Sequence, residues 1–218
     1  MKEFAAETSP VREFGEATTQ HIPAVRDLIS RNLAANLGEN ASEVGFLSWL
    51  PPEEYLADVI EKSFIPISTE GENVLGFIIT LNKELAEANP LFQEMLAAID
   101  NINFDGKPIS EYKYLIFAQS CIDEPYRLSS VAGRLYKKAI DKAKELGIEI
   151  VIGQVVSSNN KSMSVHGGVA DQAGSYKSKT SGLEWNVSRL LPPKTPIKIT
   201  LAKQGLFNFI FSFVVRRV

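Results

Sequence analysis

The chain has 218 residues, 44% hydrophobic and 22% charged, with 23 Lys and Arg against 26 Asp and Glu for a net charge of −3. That length and balance support a sizeable buried core in one large domain or two small ones. They argue against a nucleic-acid surface, which needs clustered Lys and Arg to release counterions. The single cysteine, Cys121, excludes an intrachain disulfide and a cysteine-based metal site. The two histidines, His21 and His166, lie far apart with no ligand spacing, so no metal is expected.

Residues 1–10 have the composition of a disordered lead and contain no apolar run of signal-peptide length, so a cytoplasmic location is expected. Val11 to Thr18 reads as a first strand. Thr18 or Thr19 caps a helix whose apolar residues Ile22, Val25, Leu28, Ile29 and Leu33 recur at helical spacing, with Gly38 as its stop. Pro51 and Pro52 open a second helix through about Lys62, striped by Tyr55, Leu56, Val59 and Ile60. Phe64 to Ser68 and Val74 to Leu81 form a hairpin around Glu70-Gly71-Glu72-Asn73, so this side of the sheet is antiparallel. Asn82 to Asp100 is Ala- and Glu-rich, with Leu91, Met95, Leu96 and Ile99 at helical offsets. Asp105-Gly106 marks a turn.

The stretch from Tyr112 to His166 carries the most information. Tyr112 to Ile122 is an apolar strand. A turn opened by Arg127 leads to Ser129 and Ser130, either of which suits a helix cap. The helix that follows has the stripe Val131, Leu135, Ala139, Ile140, Ala143 and Leu146, ends at Gly147, and shows a basic, solvated face from Arg134 to Lys144. Ile148 to Val156 is almost wholly apolar, as a strand covered on both faces should be. Strand, helix and strand of these lengths imply a right-handed crossover and parallel pairing. A short helix is expected from Lys161 to about Val165 and a late strand from Trp185 to Leu190. The fold class is α/β, a mixed sheet antiparallel at its N-terminal side and flanked by helices on both faces.

Leu206 to Val215, LFNFIFSFVV, is too short for a membrane-spanning helix, which takes roughly 20 apolar residues. Its alternating Phe207, Phe209, Phe211 and Phe213 suit one face of a terminal strand or packed extension. Membrane contact and partner docking are the alternatives.

A helix N-terminus just beyond a strand edge is a place for phosphate, because its first N–H groups are unpaired and its dipole end is positive. Here the residues resemble the GNAT superfamily of acetyl-CoA-dependent N-acetyltransferases. The family's Arg-x-x-Gly-x-Gly/Ala falls on Arg127-Leu128-Ser129-Ser130-Val131-Ala132, and its later Asn-x-x-Ser pattern on Asn159 and Ser162, with His166 four residues on. Leu128 and Ser130 replace residues that are often glycine, and Ala170-Asp171 stands where Gly-Phe is usual.

The resemblance implies one domain over residues 11–191, with 82–111 as an insertion before the fourth strand and 192–218 as an extension. It implies acetyl-CoA as acyl-donor substrate. Backbone groups of Cys121 and Ile122 would meet the pantetheine arm, and the amides of Leu128, Ser129, Ser130, Val131 and Ala132 the pyrophosphate, with Arg127 beside it. Asn159 would hold the pantetheine or its neighbouring backbone, and Ser162 would cap the short helix or reach the cofactor. His166 stands where the family places the acid for the departing thiolate.

A free lysine-like amine ionises at about 10.4, so its proton must leave through a base or water chain. The strand positions where a base would stand are Gln119 and Gln154, and neither ionises. The residues also admit plainer roles. Arg127 fits a surface ion pair, Asn159 a turn, His166 a polar helix position and Cys121 an inert strand core. The expected partner is a small-molecule or peptide amine, with no nucleic acid and no membrane. The insertion fits an acceptor-pocket wall or a homodimer contact. A GNAT-like module that binds acyl-CoA without turnover, and an unrelated α/β protein that shares only the spacing, are the rival readings.

Overall fold

The computed structural model describes residues 11–127, 129–169, 171–190 and 210–211, with the backbone alone at 165–169, 190 and 210–211. β1 (Arg12–Glu16) leads through a 3-10 turn at Thr19–His21 into α1 (Ile22–Arg31), which buries Ile22, Val25, Leu28 and Ile29. The sequence pattern carried this helix to Gly38, but it stops at Arg31. The Asn32 side chain turns back to donate to the Leu28 carbonyl at 2.8 Å, and Leu33 bridges to Leu47. α2 (Glu53–Lys62) follows Pro52, with Glu53 and Glu54 in its first turn and Lys62 in its last, matched to the helix dipole.

β2 (Pro66–Glu70) and β3 (Asn73–Leu81) form the expected hairpin, turning at Gly71 with φ 61°. The 82–111 stretch holds α3 (Lys83–Glu87), capped by Asn82, then α4 (Gln93–Ile99) and a two-residue ladder closed by Asp105 and Gly106. β4 (Tyr114–Ile122), α5 (Val131–Glu145) and β5 (Ile150–Val156) make the crossover unit, and β4 and β5 pair in parallel. α5 ends one residue before Leu146, which is 44% exposed and so falls outside the buried stripe.

α6 (Asn160–Val169), β6 (Asp171–Lys177), β7 (Glu184–Leu190) and β8 (Ile210–Phe211) complete the described chain. β6 was not read from the sequence: DQAGSYK is polar and mostly solvent-facing, as an edge strand can be. The expected lead at 1–10 and most of the 192–218 extension lie outside the described residues.

The sheet runs β1-β2-β3-β4-β5-β7-β6, with β8 added to β4. Every pair is antiparallel except β4 with β5. Alternation along the central strands divides two cores. Tyr114, Ile116, Ile150 and Ile152 join α1, α2, α3 and α4 on one face, while Leu115, Phe117 and Val151 join α5 on the other. This is a mixed α/β sheet with helices on both faces.

Candidate active site

The central sheet opens at one place. β4 and β5 pair from Tyr114↔Ile150 to Phe117↔Gly153 and no further. Against β3, Ile79 faces Gln119 while Thr80 faces Phe117, so Ala118 is an extra residue in β4. Such a bulge bends its strand and ends pairing. Past it, β4 stays on β3 through Ile122, and β5 stays on β7 through Val156. The two middle strands therefore diverge, with Gln119–Ile122 on one side and Gln154–Val156 on the other.

Just beyond β4 the chain makes a 3-10 turn at Glu124–Tyr126 and enters α5. Ser129 Oγ donates to the Tyr126 carbonyl at 2.6 Å and accepts the Val131 N–H at 3.3 Å. Ser130 has φ −73°, ordinary helical backbone, so the serine in the glycine position carries no left-handed strain. Gly76 of β3 lets α5 lie close to the sheet, since a Cβ there would sit 2.6 Å from Ile122 Cδ1 and 3.1 Å from Leu135 Cδ1.

Arg127 is neither exposed nor in any ion pair among the described residues, which corrects the surface ion-pair alternative. It is 6% exposed, with Nε donating to the Ile122 carbonyl at 3.1 Å and Nη2 to Asn32 Oδ1 at 2.7 Å. The nearby Asp123 is taken by Arg31 at 2.8 Å. A buried cation held only by neutral acceptors is costly unless an anion completes its surroundings. Beside it Cys121 is fully buried, and burial pushes its thiol up to about 12 against the opposing pull of Arg127.

On the other wall, Asn159 is committed at both ends. Its Oδ1 accepts the Ser162 N–H at 3.2 Å, capping α6, and its Nδ2 donates to the Phe46 carbonyl at 3.0 Å. Ser162 is 1% exposed. His166 falls one helical turn after Ser162 in α6, which is longer than the Lys161–Val165 helix expected from the sequence. The side chain of His166 and all of Leu128 lie outside the described residues. The structure thus brings Cys121, Ile122 and Arg127 into one cluster that runs on to Ser129, Ser130, Val131 and Ala132. Asn159 and Ser162 stand apart, off the end of β5.

The two carboxamides are each held. Gln119 Nε2 donates to the Trp49 carbonyl at 2.7 Å, while its buried Oε1 has no partner among the described residues. Gln154 Oε1 accepts the Tyr176 hydroxyl at 2.6 Å. Burial and then the charge of Glu94 hold the Tyr176 hydroxyl well above the usual tyrosine range. Asn32, Trp49 and Tyr176 were not singled out as site residues from the sequence. Asn32 lies 95 positions from its partner Arg127, and Tyr176 lies in the unread strand. The edge assigned to a ligand at Cys121 also carries a strand of this chain: Ile210 pairs with Cys121 and Phe211 with Ser120. Among the described residues no three His, Cys, Asp or Glu side chains are grouped to hold a metal ion. No described helix is long and apolar enough to cross a membrane.

Solved structures resemble this arrangement closely in shape and little in sequence. The ribosomal-protein-S18-alanine N-acetyltransferase of Escherichia coli superposes with a TM-score of 0.53 at 12% identity, over 87% of this chain and 99% of that one. A chain of the NatC complex bound to Gag peptide and CoA gives 0.54 at 11%, over 83% and 98%. Ard1 from Thermoplasma volcanium gives 0.54 at 12%, over 83% and 97%. The chain has the GNAT fold. No protein-family model and no curated protein matches the sequence. The GNAT fold is shared here without recognisable sequence kinship, so its chemistry must be argued from the residues.

Proposed function

We propose that this protein moves an acetyl group from acetyl-CoA to a small-molecule or peptide amine by direct transfer in a ternary complex. The observation that carries the reading is the opening between β4 and β5 beside the start of α5, where buried Arg127 has no counter-ion among the described residues. The start of α5 at Ser130 and Ala132 would receive the pyrophosphate, because the Ser129 N–H already donates to the Tyr126 carbonyl at 3.0 Å and the Val131 N–H to Ser129 Oγ at 3.3 Å, with Arg127 holding the loop and adding positive potential. Backbone groups at Cys121 and Ile122 would meet the pantetheine arm. The solved structure of NatC with CoA supports a CoA ligand on this fold.

In the reaction the amine nitrogen bonds to the thioester carbonyl carbon, the carbon–sulfur bond breaks, and the nitrogen loses a proton. The amine must be neutral to attack, and its nitrogen still sheds this proton as the amide forms; Gln119 and Gln154 cannot take it, so it leaves to water. The departing thiolate takes a proton, and the resemblance assigns that donor to His166. Calorimetric titration with acetyl-CoA, then thiol release over a panel of amines, tests the proposal. His166→Ala is expected to lower turnover more than acetyl-CoA affinity, and equal turnover removes it from the mechanism. The carboxamides at Gln119 and Gln154 favour a second reading, a GNAT-fold module that binds acyl-CoA without turnover. Tight binding with no thiol release over the whole panel would decide for it.

A further inference from the structure

Ser120 and Cys121 are 1% and 0% exposed, in the part of β4 that has left β5. Buried backbone N–H and C=O groups on a strand edge need partners. In this chain Ile210 and Phe211 pair with that edge in antiparallel register, and the short strand also lies against α6, on the far side of the opening. The pairing therefore sits in the gap between the two diverging walls. A pantetheine arm carries two secondary amides on an extended chain, chemically equivalent to two peptide groups of a strand. The same edge would serve either.

We infer that Ile210–Phe211 is a built-in competitor for the acetyl-CoA groove, holding the site closed until the strand leaves β4. The inference rests on the acetyl-CoA reading above and adds its regulation. A two-residue strand is a weak closure, because short pairings are marginal in water. A ligand that also engages the start of α5 can displace it. The sequence around it, Leu206 to Val215, carries no charge, so whatever draws the strand away must offer apolar surface or another strand edge.

The test uses the full chain. Proline removes the N–H that a ladder needs, so the double substitution Ile210→Pro, Phe211→Pro abolishes the pairing without depending on either side chain. The double variant is expected to bind acetyl-CoA about tenfold more tightly, as for a site open in about a tenth of the wild-type molecules. In the unmodified protein, saturating acetyl-CoA should speed amide hydrogen exchange at Ile210 and Phe211, where ligands usually slow it. That second measurement needs no variant and decides the matter if the double substitution misfolds. Equal affinity, or unchanged exchange at 210–211 with acetyl-CoA bound, overturns the competition and leaves the acetyl-CoA reading standing. Failure of both proteins to bind acetyl-CoA at millimolar concentration overturns that reading, and the competition with it.

Discussion

Replacing Arg127 with Met keeps an unbranched apolar stem and removes the guanidinium. Two acceptors lose a strong donor: the carbonyl of Ile122, a residue 2% exposed, which keeps the weak Cys121 Sγ contact at 3.8 Å, and Oδ1 of Asn32, a residue 4% exposed. Each buried acceptor left without a partner costs about 1–3 kcal/mol. Relief of the buried cation returns part of this, so the net loss should be about 2–4 kcal/mol. For a chain of this size urea exposes enough surface for a slope of about 3 kcal/mol per molar, so the midpoint should fall by roughly 1 M. Arg127→Lys keeps the charge but cannot fork to both acceptors, and should fall between the two. Asn32→Ala removes one acceptor and leaves the guanidinium. In a double-mutant cycle it should couple to Arg127→Met by about 1–3 kcal/mol. A midpoint for Arg127→Met within about 0.2 M of the unmodified protein, or additivity in the cycle, would refute the claim that this side chain ties α1 to the end of β4.

The Cys121 thiol, pushed up to about 12 by burial, stays protonated when folded, while the unfolded thiol ionises at about 8.5. Its contribution is therefore complete below about 8.5 and lost as pH rises toward 12, at up to about 1.4 kcal/mol per unit. Urea midpoints of Cys121→Ala should fall less steeply than those of the unmodified protein between about pH 9 and 11, and parallel curves would refute this. Asn159→Ala removes the α6 cap and the bond to Phe46 and should cost about 1–3 kcal/mol by thermal unfolding. Asn159→Asp retains the cap and should recover part of the loss. Glu94 accepts the Lys179 and Thr180 N–H groups at 2.9 and 3.0 Å, and hydrogen bonding, first from the Ser178 hydroxyl, holds its carboxyl below the usual range. Its contribution is present at neutral pH and lost as pH falls through that lowered value. Glu94→Gln should speed amide exchange at Lys179 and Thr180 at pH 7, and unchanged exchange would show that the contact does not hold the turn.

The sequence exposed the parts of this fold that rest on local pattern. The β2–β3 hairpin follows from Gly71 between alternating apolar runs, and the crossover from one amphipathic helix between two apolar strands. Parallel pairing of β4 with β5 followed from connection length alone. What escaped notice depends on long-range contact. The early end of α1 is set by Asn32, whose other side-chain atom receives Arg127 from far along the chain. Arg127 looked like a surface cation or a phosphate contact because sequence does not show burial. β6 was missed because an edge strand lacks the alternation that a buried face imposes. The bulge at Ala118, on which the opening depends, has no local signature, since it exists only as a mismatch of register with β3.

The 82–111 stretch changes how an acceptor would be selected. The sequence left it as a pocket wall or a dimer contact. Phe92, Met95, Ile99 and Ile109 are 5%, 0%, 0% and 0% exposed, and they share one core with Ile150 and Ile152 of β5. Pulling this stretch away would open that core, so it cannot work as a lid that swings at small cost. Glu94 of α4 fastens it to the turn between β6 and β7, and β6 in turn places Tyr176 on Gln154. The side of the sheet that carries Gln154 is thereby framed by fixed elements. If the proposed transfer to an amine takes place there, discrimination among amines on that side would come from fit and hydrogen bonding at Gln119, Gln154 and Tyr176 rather than from closure. On the other side of the opening, two residues of strand cover the β4 edge.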